Sequence, residues 1–112
     1  MDVVARIQKQ LEENPVILYM KGSPSFPQCG FSAKAVQMLE SCGIDYAYIN
    51  IFEDAELREG LKAYSHWPTY PQLYVARELV GGCDIMSELF QKGELQTMLA
   101  SAAATTAAAS QA

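Results

Sequence analysis

Val16-Ile17-Leu18-Tyr19-Met20 is a run of five apolar or aromatic residues with no polar residue alternating between them. A half-solvated strand would alternate, so this pattern predicts a short strand covered on both faces, as in a central parallel strand. Lys21-Gly22-Ser23-Pro24-Ser25-Phe26-Pro27-Gln28 follows as a turn-rich connector. Beyond Cys29, Phe31, Ala35, Met38, Leu39 and Cys42 recur at helical spacing, and Gly43 closes the helix. A second β-favouring segment, Asp45 to Ile51, carries Tyr46, Tyr48, Ile49 and Ile51. Strand, helix, strand predicts a right-handed parallel crossover.

Upstream, Asp2 is placed to cap a helix with Val3, Val4, Ile7 and Leu11 on its apolar face, stopped by Asn14-Pro15. Downstream, Asp54 caps a helix with Leu57, Leu61 and Tyr64 inward and Arg58 and Lys62 on another face. Trp67-Pro68-Thr69-Tyr70-Pro71 breaks the pattern. Gln72 to Val75 and Glu78 to Val80 then flank Ala76-Arg77 as a hairpin. After Gly81-Gly82, Asp84 is read as the cap of a helix ending before Gly93, and a short helix follows from Glu94 to Ala100. From Ser101 only Ala, Ser, Thr and Gln occur, which reads as a mobile tail over 101–112 after a domain of residues 1–100. Alanine favours helix, so the start of the tail is able to extend the preceding one. The expected architecture is a thioredoxin-like α/β fold, a four-stranded mixed sheet flanked by helices.

At 112 residues with half of them apolar, the chain fits a single core that buries roughly two-thirds of its unfolded surface. Three cysteines, with no Cys-x-x-Cys pair, match neither a secreted disulfide framework nor a zinc site. The N-terminus shows no secretion signal and no apolar run is long enough to span a membrane, so the chain reads as soluble and cytoplasmic. A net charge of −5 without a basic stripe argues against nonspecific nucleic-acid binding.

The chemistry gathers at Cys29. At a helix start the backbone nitrogens are unpaired and carry partial positive charge, which favours thiolate over thiol, and Lys21 upstream adds to this. Three residues on, where a dithiol oxidoreductase has its second sulfur, stands Ser32. No internal disulfide cycle through this motif is available, so an outside thiol has to complete any exchange. Cys42 lies thirteen residues along the same helix, roughly 20 Å away. It reads as a packed thiol at the helix end.

Cys29-Gly30-Phe31-Ser32, Trp67-Pro68-Thr69-Tyr70-Pro71-Gln72-Leu73-Tyr74 and Gly81-Gly82-Cys83-Asp84-Ile85, with Lys21 upstream, resemble the monothiol glutaredoxins of the Cys-Gly-Phe-Ser type over about residues 1–100. The resemblance implies glutathione binding and a 2Fe-2S cluster shared between two subunits, with a role in cluster transfer and iron homeostasis. Such a cluster commonly takes four thiolates. Two copies of Cys29 and two glutathiones would supply them in a cluster-bridged homodimer. The family also implies a BolA-type partner and apo iron-sulfur proteins as recipients.

For glutathione, the resemblance places Lys21 and Arg58 at the glycine-end carboxylate. By position alone Arg58 would be a solvated surface charge, and Lys62 is left as one. The Tyr70-Pro71 bond is implied to be cis, with the Tyr70 backbone pairing with the cysteinyl unit of the ligand. At Cys83-Asp84, backbone nitrogens would take the γ-glutamyl carboxylate and the Asp84 side chain the ammonium, Asp84 otherwise being an ordinary helix cap. Cys83 contributes its backbone, a resolving thiol being the alternative. Trp67 and Phe31 read as core residues that are also able to wall the site, and His66 as a surface residue. Ala76-Arg77 departs from the Asp-Gly or Asn-Gly turn of many relatives. The competing function is glutathione-dependent oxidoreduction, with Cys29 attacking a mixed disulfide.

Overall fold

Asp2 accepts the N–H of Ala5 at 2.8 Å and starts helix α1, Val3–Glu13, which ends at Asn14 ahead of Pro15. This is a computed structural model; it describes residues 2–111, and the side-chain surroundings of residues 2–102. Ile7 and Leu11 of α1 are buried, whereas Val4, expected on the same face, is 45 % exposed.

Strand β1, Val16–Met20, is buried at every position and lies inside a four-stranded sheet, between the second and third strands of the chain. Strand β2, Ala47–Asn50, runs parallel to it, with Ile17 opposite Ala47 and Met20 opposite Asn50. Strand β3, Gln72–Val75, is antiparallel to β1, and β4, Glu78–Gly81, is antiparallel to β3 with a register irregularity at Leu73/Tyr74. The absence of alternation in β1 now has its cause. Val16, Leu18 and Met20 point into a core built with Ala35, Leu39, Met86, Leu95 and Leu99, while Ile17 and Tyr19 point into another built with Ile7, Leu11, Leu57, Leu61 and Tyr74.

Helix α2, Gly30–Ser41, forms the crossover from β1 to β2. The second strand is shorter than expected, because Asn50 accepts the N–H of Phe52 at 3.0 Å and turns the chain into a 3-10 turn over Ile51–Glu53. Helix α3, Ala55–Ser65, is capped by Asp54 on the N–H of Leu57 at 3.0 Å and ends at His66, whose φ of 54° is left-handed. An Arg6–Asp54 ion pair ties α1 to α3.

The hairpin turn takes positive φ at both Ala76 and Arg77, 51° and 71°. This is the primed-turn backbone, reached without the glycine or asparagine it favours. The N–H of Ala76 donates to Pro15 O at 2.8 Å, anchoring the turn to the base of β1.

Two expectations near the C-terminus are corrected. Helix α4, Cys83–Gln91, is capped by Gly82 and not by Asp84, which lies in the first turn. A Cβ on Gly82 would come within 3.2 Å of Pro71 O and 3.3 Å of Trp67 Nε1, a tight approach at the entry to the helix. Helix α5, Glu94–Gln111, runs past its expected end at Ala100, the extension that the helix propensity of the alanines allowed, and Ala102 is buried against the core.

Candidate functional site

The loop after β1 folds back tightly. Gly22, at φ 94°, donates to Asn50 Oδ1 at 3.0 Å, and Gln28 N–H donates to Lys21 O at 2.9 Å. A side chain at Gly22 would press within 2.7 Å of the Gln28 nitrogen, so glycine is required for this return. The return delivers Cys29 to the N-cap of α2 with its backbone extended and no capping hydrogen bond from its side chain.

The sulfur has its pKa lowered from the ordinary thiol value. The largest cause is the backbone N–H of Ser32; burial opposes it, and the N–H of Phe31, the charge of Lys21 and the Ser32 hydroxyl add to it. Burial instead raises Cys42, which sits at the end of α2. Cys83 is also raised, chiefly by burial, with Lys34 opposing and Asp84 and Cys29 reinforcing. Cys29 is therefore the thiol set apart as a nucleophile or ligand.

A cleft of about 290 Å³ opens beside it, and Lys21, Cys29, Tyr70, Pro71, Cys83 and Asp84 all line it. The Tyr70-Pro71 bond is cis, as the resemblance implied. Arg58 is absent from the lining, but it is joined to it: the Tyr70 hydroxyl donates to Arg58 O at 2.6 Å. Phe31 is 57 % exposed and Trp67 half-buried, and both wall the cleft; the core reading of Phe31 is overturned because α2 buries Ser32, Ala35, Val36 and Leu39 instead. His66 is exposed, and Lys62 pairs with Glu59 at 3.5 Å.

Three supporting residues escaped the sequence reading. Ser32 entered only as a missing sulfur, yet it is fully buried and its Oγ accepts the N–H of Lys21 at 3.1 Å, locking β1 to α2. Gln72, also fully buried, donates through Nε2 to Trp67 O at 3.0 Å and Thr69 O at 3.2 Å, and its Oε1 accepts from Tyr74 at 3.3 Å. It thereby fixes the loop that presents Tyr70. A glutamine directly after Tyr-Pro at the head of an otherwise apolar strand was the available signal for it. Asn50 holds both Gly22 and Phe52 through one oxygen.

The four helix starts with described caps divide by location. Asp2 and Asp54 cap α1 and α3, whereas α2 and α4, which open on the cleft, begin at Cys29 and Gly82 with no side-chain cap. The first-turn N–H groups of α4 are therefore available to an anion, while those of Phe31 and Ser32 in α2 face the Cys29 sulfur. A larger groove of about 960 Å³ lies by the hairpin turn, with Leu11, Pro15, Val80, Leu89 and Met98 in its wall; it contains no cysteine and no such helix start. Among the described residues no helix is long and apolar enough to cross a membrane.

The sequence profile described as Glutaredoxin matches residues 16–80. Glutaredoxin 4 of Pasteurella multocida is 55 % identical over 104 residues, covering 93 % of this chain and 95 % of the relative. Glutaredoxin 4 of Escherichia coli K12 is 54 % identical over 101 residues, covering 90 % and 88 %. Among solved structures, reduced apo GrxS14 of poplar superposes with a TM-score of 0.78 at 46 % identity, covering 89 % of this chain and 92 % of that one. With Cys29 in the matched region and Ser32 where a second sulfur would stand, the chain belongs to the glutaredoxin family as a monothiol member.

Proposed function

We propose that the protein binds glutathione in the Cys29 cleft and, as a dimer, carries a 2Fe-2S cluster ligated by two Cys29 thiolates and two glutathione thiolates, for delivery to apo-proteins in iron homeostasis. The observation that carries this reading is the Cys29 sulfur, its pKa lowered from the ordinary thiol value, beside two helix starts without side-chain caps and Lys21. That set suits an anionic thiol peptide. The Lys21 and Arg58 cations would meet the glycine-end carboxylate. The backbone of Tyr70, a residue that lines the cleft, would pair with the cysteinyl unit, as in strand addition. The nitrogens of Cys83 and Asp84 would receive the γ-glutamyl carboxylate and the Asp84 carboxylate the ammonium.

The donor set fits a cluster held as cargo between copies. Among the described residues no group of three or more His, Cys, Asp or Glu side chains is arranged to hold a metal, while each chain offers one cleft-lining thiol, Cys29, whose pKa is lowered. Four thiolates then require a second chain and two outside thiols. A BolA-type protein in place of one copy is the heteromeric version of the same proposal.

Ser32 and Cys29 also support a second reading, monothiol deglutathionylation. The Cys29 thiolate attacks the glutathione sulfur of a protein–glutathione disulfide, and the protein thiolate leaves. A second glutathione thiolate then attacks the Cys29–glutathione disulfide, releasing oxidised glutathione and restoring the Cys29 thiolate. No electrons are gained or lost by the chain over the cycle.

Anaerobic reconstitution with iron, sulfide and glutathione, followed by visible absorption and sizing, tests the carrier reading. Wild type is expected as a coloured dimer and Cys29→Ser as a colourless monomer. A colourless wild-type monomer rejects it, and turnover of a glutathionylated substrate without cluster formation transfers the assignment to the oxidoreductase.

A further inference from the structure

Among the described residues, Arg6, Lys9, Lys62 and Lys92 have a carboxylate within ion-pair reach, whereas Lys21, Lys34, Arg58 and Arg77 have none. Arg58 is not left to wander in solvent. Its Cζ lies 5.6 Å from the centroid of the Phe52 ring, and its Nε is buried without an acceptor. Phe52 is 47 % exposed and belongs to neither core, so burial does not account for an aromatic ring at this place. The backbone beneath that ring is fixed in turn, because Asn50 Oδ1 accepts the N–H of Phe52 and the N–H of Gly22, each at 3.0 Å. A single oxygen thus ties the residue after Lys21 to the residue under Arg58.

From this juxtaposition we propose that Phe52 is a positioning and specificity residue that holds the Arg58 guanidinium ready for a carboxylate, with Asn50 setting its offset from Lys21. The inference rests on the glutathione reading above and assigns the selection of the ligand's glycine end. Contact with an aromatic face restrains a guanidinium while leaving N–H groups free for a carboxylate. A donor restrained before binding loses less freedom when the ligand arrives. A leucine at 52 would keep apolar bulk and remove the ring's negative face.

The test is an NMR titration of the reduced protein with glutathione and with glutathione carrying an amide at its glycine end, for wild type, Phe52→Leu and Phe52→Tyr. Wild type is expected to prefer the free carboxylate. Phe52→Leu should weaken glutathione by about two- to fivefold, the fold-change expected of a partly exposed cation–aromatic contact. It should leave the amide form unchanged, and Phe52→Tyr should restore wild-type affinity. Equal weakening of both ligands by Phe52→Leu, or no weakening, overturns the role of Phe52 while the glutathione reading stands. If wild type itself does not distinguish the two ligands, the assignment of Lys21 and Arg58 to that carboxylate fails, and the role of Phe52 fails with it.

Discussion

The side-chain oxygen of the fully buried Ser32 accepts the backbone N–H of Lys21 at 3.1 Å, joining the end of the central strand to the first turn of the helix that carries Cys29. Ser32→Ala removes the acceptor and strands a partly buried donor. Unfolding in urea should show a loss of about 1–2 kcal/mol. An unchanged midpoint would show that water or a shifted backbone replaces the bond at no cost.

Alkylation should separate the three thiols by pH. Only the thiolate reacts, so the lowered pKa of Cys29 extends its reactivity below the pH range of an ordinary thiol, while burial moves Cys42 and Cys83 the other way. Mass-spectrometric rates against pH should give the lowest midpoint for Cys29. The same shift links to stability: folding favours the thiolate above the unfolded thiol's pKa, and this contribution fades as pH falls through the lower folded value. Coincident midpoints for Cys29 and Cys42 would remove the basis for its activation.

Gln72→Met keeps the volume of a fully buried side chain but takes its donor away from two carbonyls, Trp67 O and Thr69 O. A loss of about 2 kcal/mol is expected in denaturant, with the largest NMR shift changes confined to the loop before Pro71. Changes spread evenly over the sheet would instead mark Gln72 as a general packing residue.

Gly22→Ala should be more damaging than an ordinary loop substitution, since both the φ of 94° and the approach of the Gln28 nitrogen oppose a Cβ. About 2 kcal/mol or more of destabilisation is expected. Cys29 in the surviving folded protein should alkylate with a midpoint nearer an ordinary thiol. Wild-type stability and reactivity together would show that the loop return is not needed.

What could be read from the sequence was whatever depends on near neighbours. Five apolar residues in a row announced a strand covered twice, Asp2 and Asp54 announced helix starts, and Cys29 stood at a third. What could not be read depends on distant chain coming close. Gly82 at the start of α4 lies close against Pro71 and Trp67, and Asn50 matters because Gly22 arrives from another element. Phe31 has the spacing of a core residue but stands in the first turn of its helix at the cleft, more than half exposed. Ser32 shows the opposite failure: read only for the sulfur it lacks, it is a buried acceptor for a strand end that the sequence does not bring into view.

The left-handed pair Ala76-Arg77 turns the chain at the Val16 end of the sheet, whereas Cys29 follows the Met20 end. Non-glycine residues in that backbone cost about 1 kcal/mol or more each. This chain therefore has room for improvement at a place its chemistry does not use. An Asn-Gly pair there would harden the protein against heat without touching the sulfur, so durability and reactivity in this molecule are separately adjustable.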